Sequence, residues 1–157
     1  GETVLDLGSG AGKICFIASQ IVGETGAVHG VDMNEDMLAL ANKYKQEVGE
    51  RVGWQNVHFH RGRIQDLALD LDQFDSFLAE QSIGDSHQLQ TALDHAEQLR
   101  VASPMIQSDS IDVVLSNCVL NLVAPKDRQQ LFSELHRVLK IGGRAIISDI
   151  VCDEPVP

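Results

Sequence analysis

Apolar residues follow two alternating rhythms along this chain. Short, nearly unbroken apolar runs of strand length occur at Val4–Leu7, Ala27–Val31, Val57–His60, Ile111–Ser116 and Arg144–Asp149. Between them the apolar positions recur at helical spacing. One such segment runs from about Gly12 to Val22 and meets a stop at Gly23. A second follows Asn34, a capping residue type, with Met37, Leu38, Ala41, Tyr44 and Val48 as its expected stripe. A third starts near Pro125, carries Leu131, Phe132, Leu135, Val138 and Leu139, and is expected to stop at Gly142-Gly143. Strand runs alternating with helical segments predict a doubly wound α/β fold, its sheet mostly parallel and covered on both faces.

Residues 70–104 interrupt that alternation between the third and fourth strands. Leu71, Phe74 and Leu78 predict a short helix and Gly84-Asp85 a break. Leu89, Leu93, Ala96 and Leu99 then predict an amphipathic helix ended by Pro104. This insertion holds seven acids (Asp70, Asp72, Asp75, Glu80, Asp85, Asp94, Glu97) against one base, Arg100. It reads either as a rim hairpin with a solvated acidic face or as a lid or docking element, since such insertions lie beside the ligand crevice.

The first strand ends in an acid, Asp6, and passes into Gly8-Ser9-Gly10-Ala11-Gly12 before the first helix; the second strand ends in Asp32. Strand, glycine turn, helix, strand and acid together form the layout of a nucleotide-binding βαβ unit, Rossmann-like in plan. Glycines let the backbone approach a ligand, and the second acid can accept hydrogen bonds from ribose hydroxyls. The glycines here recur every second residue, whereas the dinucleotide fingerprint separates its last two by three. Lys13 is followed by Ile14, so the Lys-Ser/Thr pair that grips a triphosphate is missing. A ribose-bearing cofactor without a phosphate fits best, S-adenosylmethionine foremost. Asp6 would reach its ammonium group, Asp32 the ribose, and Ile64-Gln65-Asp66-Leu67 the adenine. A dinucleotide, or a glycine turn with no ligand, stays open at this point.

At 157 residues and 43% hydrophobic content the chain suits one globular domain. No apolar run reaches the roughly 20 residues of a membrane span, and no signal peptide is visible. The chain begins at its first strand and stops just after its fifth, as expected for the cofactor-binding core of a longer protein. A net charge of -11 without a basic, aromatic-interleaved patch argues against nucleic acid as partner. Three cysteines without secretory signals read as reduced thiols in a cytoplasmic protein.

Leu5 to Gly12, Gly30-Val31-Asp32-Met33, Gly62 to Leu67 and Gly142-Gly143-Arg144 together resemble the class I S-adenosylmethionine-dependent methyltransferases, over nearly the whole chain except residues 70–104. The resemblance implies that cofactor, bound by Asp6, Gly8, Ser9, Gly10, Gly12, Asp32, Met33, Ile64, Gln65 and Asn117.

Cys15, on the first turn of the first helix, and Cys118, after the fourth strand, both fall on the carboxyl rim of such a sheet. A helix N-terminus lowers a thiol's pKa, which would make Cys15 a ready thiolate. Two thiolates beside a methyl donor suit a soft, thiophilic acceptor. Both cysteines are equally readable as small buried apolar residues. Ser116-Asn117-Cys118-Val119-Leu120-Asn121-Leu122 is similar to the post-strand-four motif of arsenite methyltransferases, and Cys15 falls where that family carries a cysteine. That resemblance implies Cys15 and Cys118 as ligands of substrate arsenic(III), with Asn117 lining the transfer pocket. It also implies in-line attack by the arsenic lone pair on the sulfonium methyl group. The family carries an acid before the helix-one cysteine, where this chain has Ile14; Cys152 is a further thiol on a loop. His58, His60 and His136 read as structural histidines rather than bases. Two other functions stay open: methylation of carbon or oxygen on a small sterol- or quinone-like acceptor, and a non-catalytic cofactor-binding module that regulates a partner. Cofactor turnover by the full-length protein would eliminate the latter.

Overall fold

The structure, a computed structural model, describes residues 1–81 and 83–151; Cys152 lies outside the described residues. Five strands, β1 (Thr3–Leu7), β2 (Ala27–Asp32), β3 (Val57–Arg61), β4 (Ile111–Asn117) and β5 (Leu139–Ser148), form one sheet in the order β3-β2-β1-β4-β5. Every neighbouring pair is parallel. The order reverses between β1 and β4, and the crevice at their carboxyl ends is where such sheets bind ligands.

Strand alternation divides the core into two layers. Leu5, Leu7, Val31 and Val114 face one way, against Leu67, Ile106 and the Leu131, Leu135 and Val138 stripe of α5 (Arg128–Val138). Val4, Val28, Val57 and Val113 face the other way, against Cys15, Ala18 and Val22 of α1 (Lys13–Val22). Burial on both faces explains why the strands read as continuous apolar runs. Asn34 caps α2 (Glu35–Val52) as expected, its Oδ1 accepting from Met37 N at 3.1 Å.

Several sequence expectations shift. In α2 the buried positions are Leu38, Ala41 and Gly49, while Met37 and Tyr44 are exposed. Phe132 of α5 is exposed too, and α5 ends at Val138 rather than at the glycines. The reason is pairing: Leu139 already aligns with Ile111, then Arg144 with Val113. A step of two residues on β4 therefore spans five on β5, and Gly142, at φ 83°, takes up the excess.

The insertion forms two helices, α3 (Leu71–Glu80) and α4 (Ser86–Ala102), packed on each other with the Phe77 and His95 rings stacked at 3.9 Å. It is closed at its base, where Met105 N and Ile106 N donate to Ala68 O and Leu67 O, both at 2.9 Å. The buried face of α4 holds Ala92 and Ala96, leaving the expected core residues Leu89 and Leu93 exposed. Most of the seven acids have local duties. Asp70 and Asp85 cap the two helices, Asp72 and Asp75 pair with Arg61, and Glu97 pairs with Arg100. A hairpin tied down by its own charges is the better reading of that acidity.

Candidate active site

The turn after β1 is built around the end of β2. Gly8 N and Ser9 N both donate to Val31 O, at 2.8 and 3.1 Å. Gly10 N donates to Asp32 Oδ2 at 2.8 Å, and Asn34 N to Asp32 Oδ1 at 2.9 Å. The acid that ends β2 thus organises the glycine turn and the start of α2 together. One bond to each oxygen leaves acceptor capacity on the carboxylate. Gly8 sits at φ 68°, and a Cβ there would stand 2.4 Å from Val119 Cγ1. Gly12, at φ 83°, would bring one within 2.5 Å of Phe59 Cζ. Both positions require glycine for space as well as for φ.

A cavity of about 330 Å³ opens beside this turn. Gly8, Asp32 and Met33 form one wall, and Gly62, Arg63, Ile64 and Gln65 a second. The third comes from the chain after β4: Val119, Leu122, Val123, Ala124 and Asp127. The sequence predicts the first wall and half of the second, Ile64 and Gln65, but not the third as a wall. Its signal is an apolar stretch, Val119 to Val123, with no helical period. Two short 3-10 turns, Leu120–Leu122 and Pro125–Asp127, fold it back over the crevice.

Asp6, near the end of β1, and Cys15, on the first turn of α1, are both buried and off the cavity wall. Asp6 is 1% exposed on the α1 side of the sheet and accepts a hydrogen bond from Cys15 Sγ at 3.3 Å. Burial pushes its carboxyl up to about 6; the bond from Cys15 opposes this and the nearby Asp32 charge adds to it. Asp6 therefore stands behind the glycine turn and not on the cavity wall. Cys15 is fully buried, and burial, followed by the Asp6 charge, pushes its thiol well above the ordinary range. The ready thiolate expected from the helix start is a protonated thiol packed over Gly30, where a Cβ would stand 2.8 Å from its Sγ. Desolvation by the sheet outweighs the helix N-terminus here.

Cys118 differs in each respect. It is exposed, holds φ 58°, and its N–H donates to Ser148 O at 2.8 Å. Its thiol lies 3.7 Å from Asn117 Oδ1. A left-handed non-glycine residue costs roughly 1–3 kcal/mol and persists where its surroundings impose it. Asn121 helps impose it by tying this turn to the end of β5: its Nδ2 donates to Asp149 Oδ1 at 2.9 Å and to Ile150 O at 2.6 Å. Asn117 and Cys118 precede Val119 of the third wall in the chain and do not themselves line the cavity.

The histidines stay structural. His29 Nδ1 and His60 Nε2 are 3.0 Å apart, and His58 stacks on His29 at 5.3 Å. Burial, with the neighbouring His60 and His58, pushes His29 down to about 4. No group of three or more His, Cys, Asp or Glu fit to hold a metal ion occurs among the described residues. No helix among them is long and apolar enough to cross a membrane.

A nucleoside cofactor without phosphate fits these walls. Asp32 keeps acceptor capacity for ribose hydroxyls, and the half-buried Ile64 and Gln65 offer an apolar face and an amide to a base. The buried Ser9 Oγ packs over Gly30, where a Cβ would stand 2.8 Å from it, and does not line the cavity.

Comparison with known proteins agrees. A family model described as a methyltransferase domain matches residues 1–104, and a second of the same description matches residues 96–147. Arsenite methyltransferase of Mus musculus is 38% identical over 156 residues, 98% of this chain and 32% of the relative. That of Halobacterium salinarum is 37% identical over 157 residues, 100% of this chain and 29% of the relative. A chloroplastic 2-phytyl-1,4-beta-naphthoquinone methyltransferase of Arabidopsis thaliana is 36% identical over 149 residues, 95% of this chain and 42% of the relative. The crystal structure of an arsenic(III) S-adenosylmethionine methyltransferase from Chlamydomonas reinhardtii superposes with a TM-score of 0.69 at 31% identity, covering 99% of this chain and 41% of the other. The chain thus spans about a third of the length of the arsenite methyltransferases it matches.

Proposed function

Since the chain belongs to the S-adenosylmethionine-dependent methyltransferases, we propose that the protein it comes from methylates trivalent arsenic presented by Cys118. S-adenosylmethionine, the family's cosubstrate, supplies an electrophilic methyl group on a sulfonium centre. The residues of this chain bind and orient it. Asp32 accepts from the ribose hydroxyls, while the backbone of Gly8, Ser9 and Gly10 permits close approach. Met33, Ile64 and Gln65 border the adenosyl group. Asp6 acts at one remove, by fixing the floor under the glycine turn, as Gly12 does by admitting Phe59. Val119, Leu122 and Val123 exclude water from the reacting end, which strengthens the electrostatics inside.

The observation that carries the acceptor is Cys118 itself, an exposed thiol held in a left-handed conformation one residue before Val119 of the cavity wall. An exposed thiol is accessible to arsenic(III), a soft acceptor that prefers sulfur ligands, and Asn117 beside it lines the approach. Cys15 serves as a second ligand only after the first turn of α1 lifts from Asp6, so it contributes less. The experiment is methyl transfer by the full-length protein with arsenite and a reducing thiol. Methylated arsenic is expected from the unmodified protein, with activity falling by about a hundredfold or more in Cys118→Ser. Arsenic methylation unaltered by Cys118→Ser would overturn the acceptor assignment.

A second reading has its own support. The wall from Val119 to Ala124 is apolar, as a quinone- or sterol-like acceptor would need. Methylation of such an acceptor, with none of arsenite, would select it.

A further inference from the structure

No described residue of the α3–α4 hairpin lines the cofactor cavity, but two of its ties reach the second wall: Asp72 and Asp75 hold Arg61 just before it, and Arg100 holds the turn within it. Segment Gly62–Leu67 turns back on itself, Asp66 N donating to Arg63 O at 2.9 Å, and leaves Ile64 and Gln65 at the tip on the cavity wall. The near end of the turn is fixed to the ribose acid's own backbone, Gly62 N donating to Asp32 O at 3.0 Å. The far end carries Asp66, which Arg100 of α4 grips. Arg100 Nε donates to Oδ1 and Oδ2 at 3.2 and 3.1 Å, and Nη2 donates to Oδ2 at 2.8 Å.

Exposure separates this pair from an ordinary surface one. Side chains in the Arg100–Asp66 pair are 32% and 14% exposed, against 77% and 53% for Arg51–Glu47 on α2. The second kind is worth little, whereas a forked, partly desolvated pair fixes geometry. Behind the turn lies a cavity of about 170 Å³ bounded by Leu69, Leu71, Phe74 and the two paired side chains. Packing alone therefore does not hold the turn from that side.

From these contacts we propose that Arg100 is a positioning residue for the adenosyl pocket: by holding Asp66 it fixes the Ile64–Gln65 tip, so that the α3–α4 hairpin sets the affinity for the cofactor. The inference rests on reading Ile64 and Gln65 as the adenine wall and is independent of the methyl acceptor. Without Arg100, Asp66 becomes a largely buried carboxylate with no counter-charge and turns toward water, carrying the tip with it. Arg100→Lys keeps the charge but loses the fork and recovers only part of the function.

The test is calorimetric titration of the full-length protein with S-adenosylhomocysteine, in Asp66→Asn, Arg100→Gln, the double variant, Arg100→Lys and Ile64→Ala, each checked for folding by circular dichroism. Arg144→Gln, which breaks the Arg144–Glu2 pair at the other side of the sheet, is the control. The first two variants are each expected to weaken binding about tenfold, the double variant no further than either, and Arg100→Lys by less. In turnover assays the same loss falls on KM for the cofactor and leaves kcat nearly unchanged. Lower melting temperatures with unaltered affinity would make the pair merely structural and overturn the inference, as would additive losses in the double variant. Should Arg100→Gln fail to fold, Arg100→Lys and Asp66→Asn decide by the same criteria. If Ile64→Ala also leaves affinity untouched, the adenine-wall reading itself has failed; if it alone weakens binding, only the role of Arg100 has.

Discussion

Cys15 follows β1 and Cys118 follows β4, adjacent parallel strands on either side of the point where the sheet order reverses. After β1, a glycine turn leads straight into α1, which docks on the sheet. A residue three positions into that helix lands underneath it, and Cys15 is sealed against Asp6 and Gly30. After β4 no helix follows at once. Cys118 turns left-handed, a 3-10 turn comes next, and the thiol stays in solvent. Rim position alone does not make a thiol available; the connection that follows the strand decides. One region seals its thiol under a helix, the other leaves its thiol in solvent.

The largest effect that can break this contrast is thiol reactivity. With iodoacetamide under native conditions, Cys118 should alkylate at least about a thousandfold faster than Cys15, because a sealed thiol waits for local opening. Peptide mass mapping of the time course measures both; equal rates would dissolve the distinction. Next comes Asp32→Ala, which should weaken S-adenosylhomocysteine binding on the order of a hundredfold while the domain remains folded. An unaltered calorimetric affinity would remove Asp32 from the cofactor site.

Two glycines sharpen the comparison at smaller scale. Gly8 and Gly53 have φ of 68° and 99°, but of the two only Gly8 meets a neighbour, Val119. Gly53→Ala should cost about 1 kcal/mol from backbone strain alone, and Gly8→Ala about 2–3 kcal/mol with cofactor affinity falling as well. Urea denaturation of both variants tests the ranking, which equal losses would refute.

The smallest effect is that of pH on stability. His29, held near 4 against an ordinary 6.5, favours the neutral form in the folded state. Its contribution is complete above pH 6.5 and is lost as pH falls toward 4. Asp6, held near 6 against an ordinary 3.8, works in reverse: its contribution is present below 3.8 and is lost as pH rises through 6. Burial also lowers His58 and His60, so three histidines oppose one carboxyl. The melting temperature should fall from pH 6.5 to 5, and His29→Asn should flatten the slope; a rise over that interval would show Asp6 dominating.

What the sequence revealed divides along the same line. The parallel sheet, the Asn34 cap and a glycine turn after β1 with an acid at the end of β2 were legible because each depends on a few neighbouring residues and a fixed backbone geometry. The sealing of Cys15 was not, since it depends on how α1 docks across β1 and β2. Nor was the exposure of Leu89 and Leu93, because apolar spacing marks a helix face without saying whether anything covers it. The start of β5 at Leu139 was hidden by glycines that look like a helix stop and act as a bulge. The cavity wall from Val119 to Asp127 was not legible, because 3-10 turns have no period to detect: its first half reads only as a motif and Pro125 as a helix start.

The most direct test of the account is titration of the reduced full-length protein with a trivalent phenylarsenical, comparing the unmodified protein with Cys118→Ser and Cys15→Ser. The account predicts tight binding that Cys118→Ser abolishes and Cys15→Ser weakens far less. Binding that survives Cys118→Ser undiminished would contradict it and move the acceptor site away from the lip of β4.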